Sequence, residues 1–95
     1  MRHTITYRYA KSDDDFAEAT ARGWMRGIEV TCPDGRIREV EAYLPHRLRQ
    51  DAETEFSGGM PSLYYRDTIV VPVVDRSHIE AAIAFLLTSG SWPPS

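Results

Sequence analysis

Three glutamates, Glu29, Glu39 and Glu41, are the charged residues whose spacing carries most chemical meaning in this chain of 95 residues. They stand on either side of "PDG" (33–35), a turn signal in which Pro33 presets its torsion and Gly35 takes the left-handed position. Carboxylates brought together in this way can bind a metal, exchange protons, or form an acidic surface for a basic partner. The other candidates are thinner. Asp13–Asp15 are consecutive, so they point three ways around a helix, and carboxylates in a first turn need no ligand because the helix dipole favours them. His3, His46 and His78 lack metal-type spacing with each other or with Cys32, the single cysteine, which sits at the mouth of the turn. "SGGMPS" (57–62) has no lysine and no phosphate-loop spacing, and no serine lies in a nucleophile elbow. Five tyrosines could hydrogen-bond a small ligand, or could be core residues with one wet end.

A three-residue hairpin loop sets the register of its strands. Cys32 then faces Arg36, and successive pairs put Val30 opposite Arg38, Ile28 opposite Val40, Arg26 opposite Ala42 and Trp24 opposite Leu44. The alternate face pairs Thr31 with Ile37, Glu29 with Glu39, Gly27 with Glu41 and Met25 with Tyr43. Trp24, Ile28, Val30, Val40, Ala42 and Leu44 thus share an apolar face. The glutamates share the other, rimmed by Met25, Ile37, Tyr43 and, from a neighbouring strand, Tyr64. Arg8 and Arg66 can neutralise the carboxylates there.

The surrounding elements follow from periodicity and punctuation. Residues 3–10 alternate, with Ile5, Tyr7 and Tyr9 on one side and Thr4, Thr6 and Arg8 on the other. Residues 12–23 form a short helix with Ser12 as N-cap and Gly23 at its end. "HRLRQDAETEFSGGMPS" (46–62) spaces Leu48, Ala52 and Phe56 by four and fits either a thinly amphipathic helix or a loop. Residues 63–74 are a strand whose Pro72 belongs at its end or on a sheet edge. Residues 75–90 form a helix with a capping box from Ser77 to Glu80 and an apolar stripe of Ile79, Ala82, Ile83, Leu86 and Leu87. The sequence therefore predicts an α+β domain over 1–90, with a tail at 91–95. Its two layers are a mainly antiparallel four-stranded sheet and helices on one face, and the βαββαβ order with an added C-terminal helix resembles ferredoxin-like folds.

Net charge is −3, and ten of the eleven cationic residues are arginine. Mild acidity argues against nucleic acid as a partner, and no apolar run approaches the ~20 residues that span a bilayer. One cysteine and no signal-peptide pattern suit a reducing cytoplasm. No catalytic motif and no cofactor are implied. The expected function is a cytoplasmic protein-binding or inhibitory module that docks a partner, a basic one included, through Glu29, Glu39, Glu41, Tyr43, Tyr64 and Met25. In size, acidity and α+β pattern the chain is similar to bacterial toxin-neutralising immunity proteins. The alternative is a small dimeric enzyme or ligand binder with a pocket between helices and sheet lined by Tyr7, Tyr9 or Tyr65. Tyr64, Val70 and Val74, on the outer side of the 63–74 strand, need a cover that so small a domain lacks. Contact with another protein, or a homodimer through that edge strand, would supply it.

Overall fold

A computed structural model describes residues 2–62 and 67–90. In chain order the elements are β1 (Thr4–Tyr7), α1 (Asp13–Arg22), β2 (Trp24–Thr31), β3 (Ile37–Tyr43), α2 (Pro45–Ser57), β4 (Thr68–Val70) and α3 (Arg76–Ser89). The fold is α+β, with a four-stranded mixed sheet in the spatial order β1-β2-β3-β4. Strand β2 is antiparallel to both of its neighbours, β1 and β3, and β4 runs parallel to β3. This is not the ferredoxin-like arrangement. That fold sets β1 parallel to the strand after the first helix, with another strand between them, whereas here β2 lies directly against β1, antiparallel. The chain passes from α1 to β2 through Gly23 alone, in the left-handed conformation, so no connector carries β2 past a neighbour.

Local chemistry accounts for each end of α1. The Ser12 side chain accepts from the Asp15 amide, the Asp15 carboxylate accepts from the Ser12 and Lys11 amides, and three aspartates sit where the dipole favours them. Helix α3 begins two residues earlier than a Ser77 cap would dictate. Asp75 is the N-cap, accepting from the His78 amide at 2.8 Å, so Ser77 and Glu80 do not form a capping box. Glu80 instead accepts a hydrogen bond from the Tyr7 hydroxyl at 3.0 Å.

Of the expected 63–74 strand, the described residues form β4 over Thr68–Val70. Leu63–Arg66, and with them Tyr64, Tyr65 and Arg66, lie outside the described residues, and the chain leaves the sheet after Val70. Because it bends at Pro72, Val71 and Val74 both enter the core, and Val74 is fully buried rather than waiting for an outside cover. Thr20 fastens this bend to α1, its hydroxyl 2.6 Å from the Val74 carbonyl oxygen. Helices α1 and α3 give Phe16, Ala19, Ile79 and Ile83 to one core with Tyr7, Met25, Ile28, Val30, Val40, Ala42 and Ile69 from the sheet. Residues 45–57 form a helix, α2, which buries no residue.

The hairpin turn is as its sequence dictates, with the Gly35 amide bonded to the Cys32 carbonyl and the Cys32 amide to the Arg36 carbonyl. The pairs Thr31–Ile37, Val30–Arg38, Glu29–Glu39 and Ile28–Val40 hold. Then the register slips by one: Met25 pairs with Ala42 and Trp24 with Tyr43, leaving Arg26 and Gly27 together opposite Glu41. This is a β-bulge, and it needs glycine, because Gly27 has φ 74° and a Cβ there would lie 2.5 Å from Tyr9 Cδ2. Gly27→Ala should destabilise the fold by about 2 kcal/mol or more, through left-handed strain and displacement of the Tyr9 ring. Gly35→Ala, at φ 90° with nothing within 4 Å, should cost only about 1 kcal/mol. Urea unfolding of both variants checks the difference, and equal losses would place no special constraint at the bulge.

Candidate interaction face

The bulge decides which side chains reach the outer face of the sheet. A one-residue slip exchanges the two faces of a strand. Met25, expected outside, is therefore in the core with 1% of its surface exposed, and Trp24 takes the outer position. Trp24 stacks on Tyr43 with ring centroids 6.5 Å apart, and the Arg22 guanidinium lies 4.4 Å from the Trp24 ring centroid. The signal for this was the glycine in mid-strand, which marks a bulge or a close backbone approach; Gly27 is both. Apolar residues extend the face at its margins, with Ile37 68% and Val70 51% exposed.

Between these margins Glu29 and Glu39 are directly opposed. Like charges so placed cost roughly 0.2–1 kcal/mol. Arg8 offsets the repulsion from β1, its Nη2 2.6 Å from Glu29 Oε2 and its Nη1 3.0 Å from Glu39 Oε1. The β1–β2 register explains this reach, since Thr6 faces Glu29 and Arg8 is the next outward residue. A hydrogen bond with the Tyr9 side chain, then the two glutamates, raise the Arg8 pKa further, so its charge is permanent. One cation serves two carboxylates, and Glu41, beside the bulge, has no cationic partner among the described residues. Among the described residues, the glutamates of this face outnumber the arginine paired with them.

The other places where chemistry could occur are less organised. Among the described residues no group of three or more His, Cys, Asp or Glu side chains could hold a metal ion. Between α1, α3 and the sheet, Met25, Ile28, Val30, Ile79 and Ile83 fill the layer. Tyr7 is part of that packing, edge-on to Phe16 at 4.9 Å, while Tyr9 lies outside, over Gly27. A shallow open groove is lined by His3, Thr4, Ile5 and Glu80. Cys32 is partly buried against the core. No helix among the described residues is long and apolar enough to cross a membrane.

No family model matches the chain, and neither a curated protein nor a solved structure does so. The functional reading therefore rests on the geometry.

Removing the shared cation should expose the repulsion it masks. Arg8→Met should lower the unfolding midpoint at low salt, with a deficit that narrows as salt rises because exposed charges are screened. Adding Glu39→Gln should recover much of the loss, and a double-mutant cycle in thermal unfolding measures the coupling. Tyr7 supplies a pH prediction. Burial first, then its bond to Glu80, raise its pKa well above the usual tyrosine range. The folded state thus holds the proton more tightly than the unfolded chain, whose tyrosines ionise near pH ~10. The stabilisation is whole below that pH and drains as pH rises beyond it. Tyr7→Phe should flatten the alkaline fall in stability, measured by urea unfolding between pH 8 and 11 (about one unit and more on either side of that ionisation).

Proposed function

We propose that this chain is a protein-docking module whose contact surface is the outer face of the sheet, with Trp24, Tyr43, Ile37 and Val70 as apolar anchors and Glu29, Glu39 and Glu41 supplying charge. The observation that carries the reading is two carboxylates sharing one arginine, with Glu41 close by, beside a stacked, partly exposed tryptophan–tyrosine pair. Interfaces favour aromatic anchors, whose large apolar area is ordered at small entropic cost, and surplus charge steers a partner of opposite sign. The partner is accordingly a protein with a basic patch around an apolar centre, and binding and inhibition through such a face is the activity proposed. Tyr43 keeps the role its sequence position suggested, and Trp24 replaces Met25.

A photo-crosslinking residue at Ile37 should capture the partner, whereas the same residue at Ala81, exposed on α3, should not. Glu39→Lys combined with Glu41→Lys should abolish that crosslink while leaving the circular dichroism spectrum intact. An identical crosslinked product from the double variant would exclude the sheet face as the docking surface.

A further inference from the structure

Strand β1 ends the sheet on the side away from β4, so among the described residues one of its edges has no strand against it. The ladder tells which groups face that way. In an antiparallel pair alternate residues exchange both backbone hydrogen bonds, and the Arg8 amide, bonded to the Gly27 carbonyl at 2.8 Å, fixes the phase. Thr4 and Thr6 share that phase and are engaged with β2, opposite Thr31 and Glu29. Ile5 and Tyr7 therefore turn their N–H and C=O groups outward, away from β2. Natural edges are often blunted by a lysine, a proline or a bulge. Thr4–Tyr7 is a run of β-forming residues in unbroken register with none of these.

Along this strand runs the shallow groove of His3, Thr4, Ile5 and Glu80, about 310 Å³ in volume. Helix α3 contributes Glu80 to it. The Tyr7 hydroxyl donates to Glu80 Oε2 at 3.0 Å, which holds the carboxylate beside β1 and leaves Oε1 for another donor. Among the described residues Glu80 has no ion-pair partner. Arg76, one turn earlier, lies instead over the rings of Phe16 at 4.6 Å and Tyr7 at 5.7 Å. We propose that β1 and α3 form a peptide-binding groove, in which an extended segment of another protein adds as a strand outside β1 and sets a lysine or arginine against Glu80. Backbone pairing with Ile5 and Tyr7 supplies the affinity. The carboxylate selects the side chain, because alternate residues of an added strand point to the same face. A second copy of this chain fits less well, since Thr4–Tyr7 contains no cation to offer Glu80. The groove lies at the rim of the sheet and is separate from Glu29, Glu39 and Glu41.

Titrating the isotope-labelled full chain with a terminally blocked pentapeptide, threonine-valine-lysine-valine-threonine, tests this by NMR. The amides of Ile5 and Tyr7 should shift with saturable binding, and those of Thr4 and Thr6, already engaged with β2, should shift less. Norleucine in place of the peptide lysine keeps the stem and removes the charge. It should weaken binding roughly fivefold, the worth of a partly screened ion pair. Glu80→Gln keeps an acceptor for the Tyr7 hydroxyl and should erase that preference in a chain that remains folded. Glu80→Lys should reverse it in favour of a peptide with glutamate at the same place. Ile5→Pro removes an outward N–H that no ladder bond uses, so the chain should stay folded by circular dichroism and lose the peptide. Glu39→Lys with Glu41→Lys should leave binding unchanged. A titration without saturable shifts up to ~10 mM peptide overturns the proposal, as do equal affinities for the lysine and norleucine peptides or binding abolished by the Glu39 and Glu41 substitutions. So does pairing of β1 with itself, seen as Ile5 and Tyr7 shifts that follow protein concentration alone.

Discussion

Two residues of β2 stand opposite one residue of β3, and much of this molecule depends on that mismatch. Before the bulge the hairpin obeys the register set by its turn. After it, the β2 side chains are exchanged between faces while those of β3 keep theirs, so Met25 fills the core beside Ala42 and Trp24 reaches solvent beside Tyr43. Glycine is required because the backbone enters the left-handed region exactly where the Tyr9 ring covers it. The same bend keeps Arg8 in line, its amide bonded to the Gly27 carbonyl at 2.8 Å while its guanidinium spans Glu29 and Glu39. Turn, bulge and arginine together set the composition of the outer face.

Magnitudes show why the glutamates are tolerated where they stand. Burying Ile28, Val30 or Val40 is worth about 1.5–3 kcal/mol each, against roughly 0.2–1 kcal/mol for one opposed pair of like charges. The core side of the hairpin therefore sets the register and the carboxylates follow. A sheet with helices packed on one face leaves the other to solvent or to partners, and this one pairs surplus carboxylates with a stacked aromatic couple. Surface charge of that kind alters association rate and salt dependence more than stability. Its cost is carried by the well-filled layer beneath.

Two parts of the fold differ in how their charge is arranged. The sheet face is built on the paired strands of the hairpin, and its glutamates outnumber the arginine that bridges two of them. Helix α2 is peripheral, and its charge is divided end to end. Among the described residues β4 is a three-residue strand at the sheet edge beside β3, followed by a bend at Pro72.

Short-range chemistry in the sequence was sufficient for the element types, the Ser12 and Gly23 caps, the "PDG" turn, the first four hairpin pairs and the facing of Glu29 to Glu39, because each rests on residues close together in the chain. The helical state of 46–57 was only half legible, since three apolar residues in a polar segment suit a loop as well. Tertiary structure alone decided the rest. Which strand edges meet is settled by packing of the whole sheet, and alternating patterns do not encode it, so the sequential order β1-β2-β3-β4 formed where an interleaved order was expected. Periodicity assumes an unbroken strand, so it could not see that a bulge would turn Met25 inward, nor that the bend at Pro72 would bury Val71 and Val74 together. Asp75, rather than Ser77, caps α3 because burial of Val74 fixes where the chain emerges to start that helix.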